Sequence, residues 1–269
     1  SELEASGFDI PGQWAGGRKA RAFVTSLGLP IEFAGFQQAT RDSLLKVDGP
    51  MKLHDLHDFQ RVSANRIRDL LRRGSGRGLL ALPTGAGKTR TATHAFIEAM
   101  RDGEIKGPIL WVAQTDELCE QAIESWADNW RAIGPQGTLK LGRLWGSNAV
   151  ENLSDPYQVV VATIAKLQNC FGDKQYSWLS QATAVVIDEA HRSITPAYTQ
   201  LLEWLGMARN QERVPLIGLS ATPYRGTSEI ETERLVNRYA KNRLDEVGEE
   251  PYLTLQTMGV LSQVEHQLL

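Results

Sequence analysis

The chain has 269 residues, 42% of them hydrophobic and 23% charged, with a formal net charge of −3 at pH 7. This composition supplies a substantial core for one large or two small domains and excludes wholesale disorder; a nucleic-acid partner would have to be held by a local patch and not by overall charge. No apolar run reaches membrane-spanning length, and the two cysteines, Cys119 and Cys170, have no metal or redox spacing, so they read as reduced thiols of a cytosolic protein.

Residues 1–50 are punctuated by Gly12, Gly16, Gly17, Gly28, Gly35 and Gly49. Arg18–Leu27 predicts a helix stopped by Gly28, with Pro30 beyond it, and Phe36–Val47 a second short element before Gly49 and Pro50. The stretch reads as an N-terminal extension, either packed or a module of its own.

From residue 51 the pattern becomes regular. Asp58–Arg73 places Phe59, Ser63, Ile67, Leu70 and Leu71 on one helical face. Gly78–Leu82 is strand-like, and Thr89–Met100 is helix-like. Ile109–Ala113 is the next strand. Asp116–Trp130 is a helix with Leu118, Ala122, Trp126 and Trp130 at four-residue spacing, Thr115 as its cap and two acids in its first turn. Leu139–Trp145, Gln158–Ala162, Ala184–Ile187 and Leu216–Leu219 follow as short strands, several β-branched as suits burial on both faces. Alternation of this kind predicts an α/β fold, a mostly parallel sheet flanked by helices, with ligands beyond the carboxyl ends of the strands. After Pro223, Glu229–Leu244 is charged and helix-like, and Tyr252–Leu269 is mixed. The arginines Arg61, Arg66, Arg68, Arg72, Arg73 and Arg77 read as a helix's solvated face in preference to a nucleic-acid patch. Trp111, Trp126, Trp130 and Trp145 have the spacing of core residues in preference to stacking platforms.

Three segments carry chemistry. Between the first strand and its helix lies Thr84-Gly85-Ala86-Gly87-Lys88-Thr89. Small residues let the backbone wrap a triphosphate with its N–H groups turned inward; Lys88 would reach the β- and γ-phosphates and the Thr89 hydroxyl would help hold Mg²⁺. A glycine turn with an incidental lysine is the alternative, and the order strand, loop, helix argues against it. Ala184–Ile187 runs into Asp188-Glu189-Ala190-His191, which puts two carboxylates at the sheet's carboxyl edge. Asp188 suits a Mg²⁺ ligand acting through water, and Glu189 a base for the water that attacks the γ-phosphate. Ser220-Ala221-Thr222 ends the last strand, with two hydroxyls able to bond His191 and the carboxylates.

In this order and spacing, Gly-Ala-Gly-Lys-Thr, Asp-Glu-Ala-His and Ser-Ala-Thr resemble motifs I, II and III of superfamily-two helicases and translocases, most closely the branch that contains helicase subunits of restriction enzymes. The resemblance covers roughly residues 51–228 and implies a RecA-like lobe that binds ATP and Mg²⁺ and part of a nucleic-acid track, DNA in preference to RNA. It implies that Gln60 reads the adenine edge, although His57 and Asp58 depart from the Arg-Pro-Tyr-Gln of many relatives. It implies that His191, Ser220 and Thr222 couple the nucleotide to the strand groove. Val112–Leu118 and Val161–Leu167 resemble motifs Ia and Ib, whose matching residues here, Gln114, Thr115 and Thr163, would grip phosphates.

Such motors have a second lobe whose arginines reach the γ-phosphate from a Gln-x-x-Gly-Arg-x-x-Arg segment. No such segment occurs in these 269 residues, so 229–269 is expected to lead toward a lobe missing from this chain. An arginine finger is worth about 10³–10⁵ in rate, so the chain alone is expected to hold ATP and hydrolyse it slowly. A nucleotide-gated interaction module that never moves along nucleic acid is the alternative. A GTPase is disfavoured, since no Asn-Lys-x-Asp guanine reader is present.

Overall fold

The alternating residues of each strand sort into two cores, and that sorting builds the layers. The computed structural model describes residues 18–29, 31–34, 43–48, 54–208, 213–222, 229–247 and 251–262. The chain divides into two compact units, Ser1–Asp42 and Ser43–Leu269. In the first, helix α1 (Arg18–Ser26) buries Ala20, Phe23 and Val24, which cluster with Ala34. Most of the second predicted N-terminal element, Phe36–Val47, lies outside the described residues.

In the second unit, seven described strands form one sheet in the order β1-β4-β5-β3-β6-β7-β2. They are β1 (Leu44–Asp48), β2 (Arg77–Ala81), β3 (Ile109–Ala113), β4 (Thr138–Leu144), β5 (Gln158–Thr163), β6 (Ala184–Asp188) and β7 (Leu216–Ser220). Only β1, at the far edge, is antiparallel to its neighbour, pairing Leu44 with Gly142. The sheet thus has the mostly parallel architecture expected, with β1 added to it from within residues 1–50.

On one face Leu80, Ile109, Trp111, Val159, Val161, Val186 and Ile217 pack beneath three helices, α2 (Asp58–Arg73), α3 (Lys88–Arg101) and α4 (Asp116–Ile133). On the other, Leu79, Leu110, Val112, Val160, Val185, Ile187 and Leu216 pack against α5 (Ile164–Cys170), α6 (Pro196–Trp204) and α7 (Glu229–Arg238). The period of two is that of strands buried on both sides. Trp111, Trp126 and Trp130 are fully buried and Trp145 nearly so, which makes them core residues. Of the arginines on α2, Arg61 pairs with Glu98, Arg68 with Asp102 and Glu104, and Arg72 with Asp69 and Glu104.

The helix predicted over Glu229–Leu244 ends at Arg238. Ala240 and Lys241 take φ values of 55° and 56°, which breaks the helix and turns the chain alongside β2. There the Leu79 N–H donates to the Asn242 carbonyl and the Leu244 N–H donates to the Leu79 carbonyl, both at 2.9 Å. A last helix, α8 (Pro251–Thr257), buries Leu255 in the first core.

The parallel registers align the strand ends. Ala81 lies opposite Ser220, Asp188 opposite Leu219, and Ala113 opposite Thr163. Each chemistry-bearing segment therefore emerges at one carboxyl edge.

Candidate nucleotide site

The turn after β2 is shaped by two glycines. Gly85 and Gly87 have φ of 82° and 80°, a region open to glycine at little cost. The Ala86 N–H closes the turn onto the Pro83 carbonyl at 3.1 Å, and Gly87 caps α3. A Cβ at Gly87 would stand 2.5 Å from Gln60 Nε2, so steric crowding and conformation both demand glycine there. Thr84 and Gly85 are exposed at the crest of the loop. Together these features make a helix N-terminus that faces solvent across a glycine turn, a ready site for an anion.

Lys88 opens α3 and points its ammonium back over the loop, with Nζ 3.4 Å from the Pro83 carbonyl. Burial lowers its pKa from the ordinary lysine value, against the opposing pull of the Glu189 and Asp188 charges. The lysine and both acids of the later motif therefore share one electrostatic environment.

Asp188 ends β6 nearly buried, at 6% exposure. Burial raises its carboxyl to about 6, offset in part by the Glu189 N–H, which donates to Asp188 Oδ1 at 3.0 Å. Glu189 sits at φ 52°, ψ 52°. A non-glycine residue in that region costs on the order of 1–3 kcal/mol and is found where function over-determines the backbone. The kink redirects the chain after the strand, and Glu189 Oε2 comes 3.1 Å from His191 Nδ1. That contact is the main cause holding the Glu189 carboxyl below its ordinary range. The adjacent acids are thus driven apart: one raised by burial, one lowered by a histidine.

Ser220 is fully buried, and its hydroxyl donates to the Thr222 carbonyl at 2.6 Å. The bond is spent within its own turn, not on His191. Thr115 and Thr163 cap α4 and α5, accepting from Leu118 and Lys166 N–H groups at 3.3 Å. Gln114 is half-buried beside Thr115. The two caps place neighbouring helix N-termini at the ends of the paired strands β3 and β5.

Gln60 is 4% exposed. Its Oε1 accepts from the His57 N–H at 3.0 Å and its Nε2 donates to the Ala86 carbonyl at 3.0 Å. The residue matched to adenine recognition thus also clasps the phosphate loop. Among the described residues no group of three or more His, Cys, Asp or Glu could hold a metal ion by itself. Mg²⁺ takes one or two protein oxygens and completes its shell with phosphates and water, and Thr89 with Asp188 is a donor set of that kind.

Two participants escape sequence reasoning. Asp245 Oδ2 accepts from the Ala81 N–H at 3.1 Å, and Leu261 lies over Gly85, 3.4 Å from where a Cβ would stand. Both come from the segment beyond α7, and no local pattern marks either.

Residues 53–225 match the family described as "Type III restriction enzyme, res subunit". The chain is 28% identical over 148 residues to the ATP-dependent DNA helicase Hel308 of Methanocaldococcus jannaschii, covering 54% of this chain and 12% of that protein. It is 25% identical over 174 residues to the ATP-dependent RNA helicase DHH1 of Coccidioides immitis, covering 64% of this chain and 34% of that one. The Pyrococcus furiosus Hef helicase domain superposes with a TM-score of 0.51 at 26% identity, over 69% of this chain and 36% of that chain. The chain therefore spans only a minor part of each of these relatives.

Proposed function

Because the chain belongs to the type III restriction enzyme, res subunit family and forms the first, RecA-like lobe of a superfamily-two helicase, we propose that it is the ATP-binding half of a nucleic-acid-dependent ATPase. The observation that carries this reading is the glycine turn at the N-terminus of α3 with Lys88 folded over it, at the same carboxyl edge of the sheet where β6 ends on Asp188, followed by Glu189. The β- and γ-phosphates of ATP enter at the N-terminus of α3, where the backbone N–H groups of Gly85 to Thr89 and the Lys88 ammonium receive them. Thr89 and Asp188 hold Mg²⁺, which when bound neutralises charge on the β- and γ-phosphate oxygens. Glu189 orients the attacking water and takes its proton, and His191 holds the Glu189 carboxylate in place. Gln60 reads adenine with the remaining amide hydrogen and lone pair while keeping its grip on Ala86.

His191, Ser220 and Thr222 link this chemistry to a track held at Gln114, Thr115 and Thr163. Phosphate contacts from two helix N-termini give affinity without base reading. The match to a restriction-enzyme subunit family and the likeness to a DNA helicase support DNA as the track in preference to RNA. A second lobe, absent from these residues, would supply the arginines for fast turnover, so this chain alone binds ATP and turns it over slowly.

The test is calorimetry of ATP binding with Mg²⁺ present. Lys88→Ala should abolish binding, and unchanged affinity would refute the assignment. DNA-stimulated, fast hydrolysis by the unaltered chain would overturn its dependence on a second lobe.

A further inference from the structure

Trp111 and Val186 lie opposite each other in the pairing of β3 with β6, and both face the first core. Side chains two residues apart on a strand share a face, so Asp188 is the next group beyond Val186 on that side of the sheet. It stands one diagonal step from Trp111, roughly 8 Å between Cα atoms for strands of ordinary spacing, which an indole ring spans. Trp111 is fully buried, and its ring is set edge-on to Trp126 of α4 at 6.1 Å and 81°. Trp126 packs in turn against Phe96 of α3 at 5.8 Å. The Trp111 ring is thus held from above, yet its Nε1 has no hydrogen-bond partner.

Trp126 and Trp130 also bury an indole N–H without an acceptor. Both belong to α4, whereas Trp111 lies within the sheet, one strand from an acid. Burial raises the Asp188 carboxyl, and the Glu189 N–H and the Trp111 indole N–H act against that rise. The indole N–H is therefore near the carboxylate without having closed a bond to it. An ionised carboxylate has about four acceptor sites, and the Glu189 N–H takes one, on Oδ1. One donor leaves a carboxylate free to turn about its last bond; a second donor from another element fixes its plane.

We propose that Trp111 is a positioning residue, whose indole N–H donates to the Asp188 carboxylate and fixes the plane in which that carboxylate faces Mg²⁺ and its water. The role rests on the nucleotide reading above. Trp126 holds the donor ready, and the bond closes when nucleotide and metal order the carboxylate. Hydrogen bonds of this kind to the protein ligands of a metal change metal affinity about 10–100-fold. An indole suits the position because it donates one N–H and is otherwise apolar, so it fills the core beneath β6 while serving the acid at its edge.

The experiment measures the gain in nucleotide affinity that Mg²⁺ supplies. The β,γ-imido analogue of ATP is titrated into the whole chain with Mg²⁺ present and with the metal chelated. Trp111→Phe keeps an aromatic ring against Trp126 and deletes the N–H. It should leave the metal-free affinity unchanged and cut the gain from Mg²⁺ about tenfold. Trp130→Phe alters the same core where it packs on Tyr157, and should change neither quantity. An undiminished gain in Trp111→Phe, or an equal loss in Trp130→Phe, would overturn the role. If Trp111→Phe does not fold, the unaltered chain decides. Its Trp111 indole N–H resonance, assigned through its proximity to Trp126, should move downfield when Mg²⁺ joins the bound analogue, and a resonance that stays in place overturns the role. A parent chain that does not bind the analogue at all would instead refute the nucleotide reading, and this role with it.

Discussion

Gln60 Nε2 donates to the carbonyl of Ala86 at 3.0 Å, tying the first turn of α2 to the crest of the phosphate loop. The same side chain accepts from the His57 N–H, so one amide serves as helix cap and loop clasp. Gln60→Ala removes both bonds and should cost about 1–2 kcal/mol of stability, along with about tenfold in ATP affinity as the loop loses its support. Gln60→Glu keeps the acceptor for His57 but aims a carboxylate at the Ala86 carbonyl and the incoming phosphates. It should therefore lose more in nucleotide affinity than in stability. Melting curves and calorimetry on the two variants separate these effects, and unchanged affinity in both would remove Gln60 from the site.

Glu189 and His191 meet at 3.1 Å across a strained backbone turn. If Glu189 is the base, Glu189→Gln in a protein that carries both lobes should keep ATP affinity and lower turnover by about 10²–10⁴, the usual worth of general-base catalysis. His191→Ala should release the Glu189 carboxyl from its lowered pKa and shift the acid limb of the turnover profile upward. Normal turnover by the glutamine variant would take Glu189 out of this role.

The parts of the site that are legible in the sequence are those built from neighbours. Ile109–Ala113 is apolar on both faces, and its strand has the bounds the pattern predicts; the Thr115 cap and the acids after β6 follow the same local logic. Short helices are less visible: α5 has seven residues, and α6 follows the motif so closely that no periodic window forms, although Thr195 and Pro196 mark its start. Contacts that close the site from afar leave no trace at all. Asp245 and Ala81 are 164 residues apart, and neither shows in its own surroundings that it will meet the other.

Glu98 on α3 gathers the cations of α2. Arg61 Nη1 is 2.9 Å and His94 Nε2 3.3 Å from its Oε1, and Arg68 Nη1 is 3.7 Å from its Oε2. Burial acts to raise its carboxyl, but His94 and Arg61 outweigh that and hold it at about 2, below an ordinary value of 4.5. A depressed folded pKa stabilises the protein above the unfolded value, and that stability is lost as pH falls from about 4.5 toward 2. The linked free energy is on the order of 3 kcal/mol. Glu98→Gln should therefore lower stability at pH 7 by about 2–3 kcal/mol and flatten the decline between pH 4.5 and 2. Urea midpoints across this range test it; parallel curves for variant and parent would show that Glu98 contributes no linkage.

Asp245 holds the outer edge of the strand that leads into the phosphate loop. Its side chain is fully enclosed, Oδ2 accepts from the Ala81 N–H at 3.1 Å, and Oδ1 pairs with Arg243 at 2.5 Å. β2 has only β7 as a neighbouring described strand, so this carboxylate satisfies a backbone donor that would otherwise be left at the sheet's edge. Asp245→Ala leaves that N–H without an acceptor and should cost about 2–3 kcal/mol; Asp245→Asn can still accept through its carbonyl oxygen and should cost about 1 kcal/mol. Since Ala81 stands just ahead of the loop, the alanine variant should also bind ATP more weakly at temperatures where it is folded, and the asparagine variant should not. Denaturant midpoints and ATP titrations on the pair decide the matter: an alanine variant as stable as the parent would mean that the segment beyond α7 rests beside β2 without holding it.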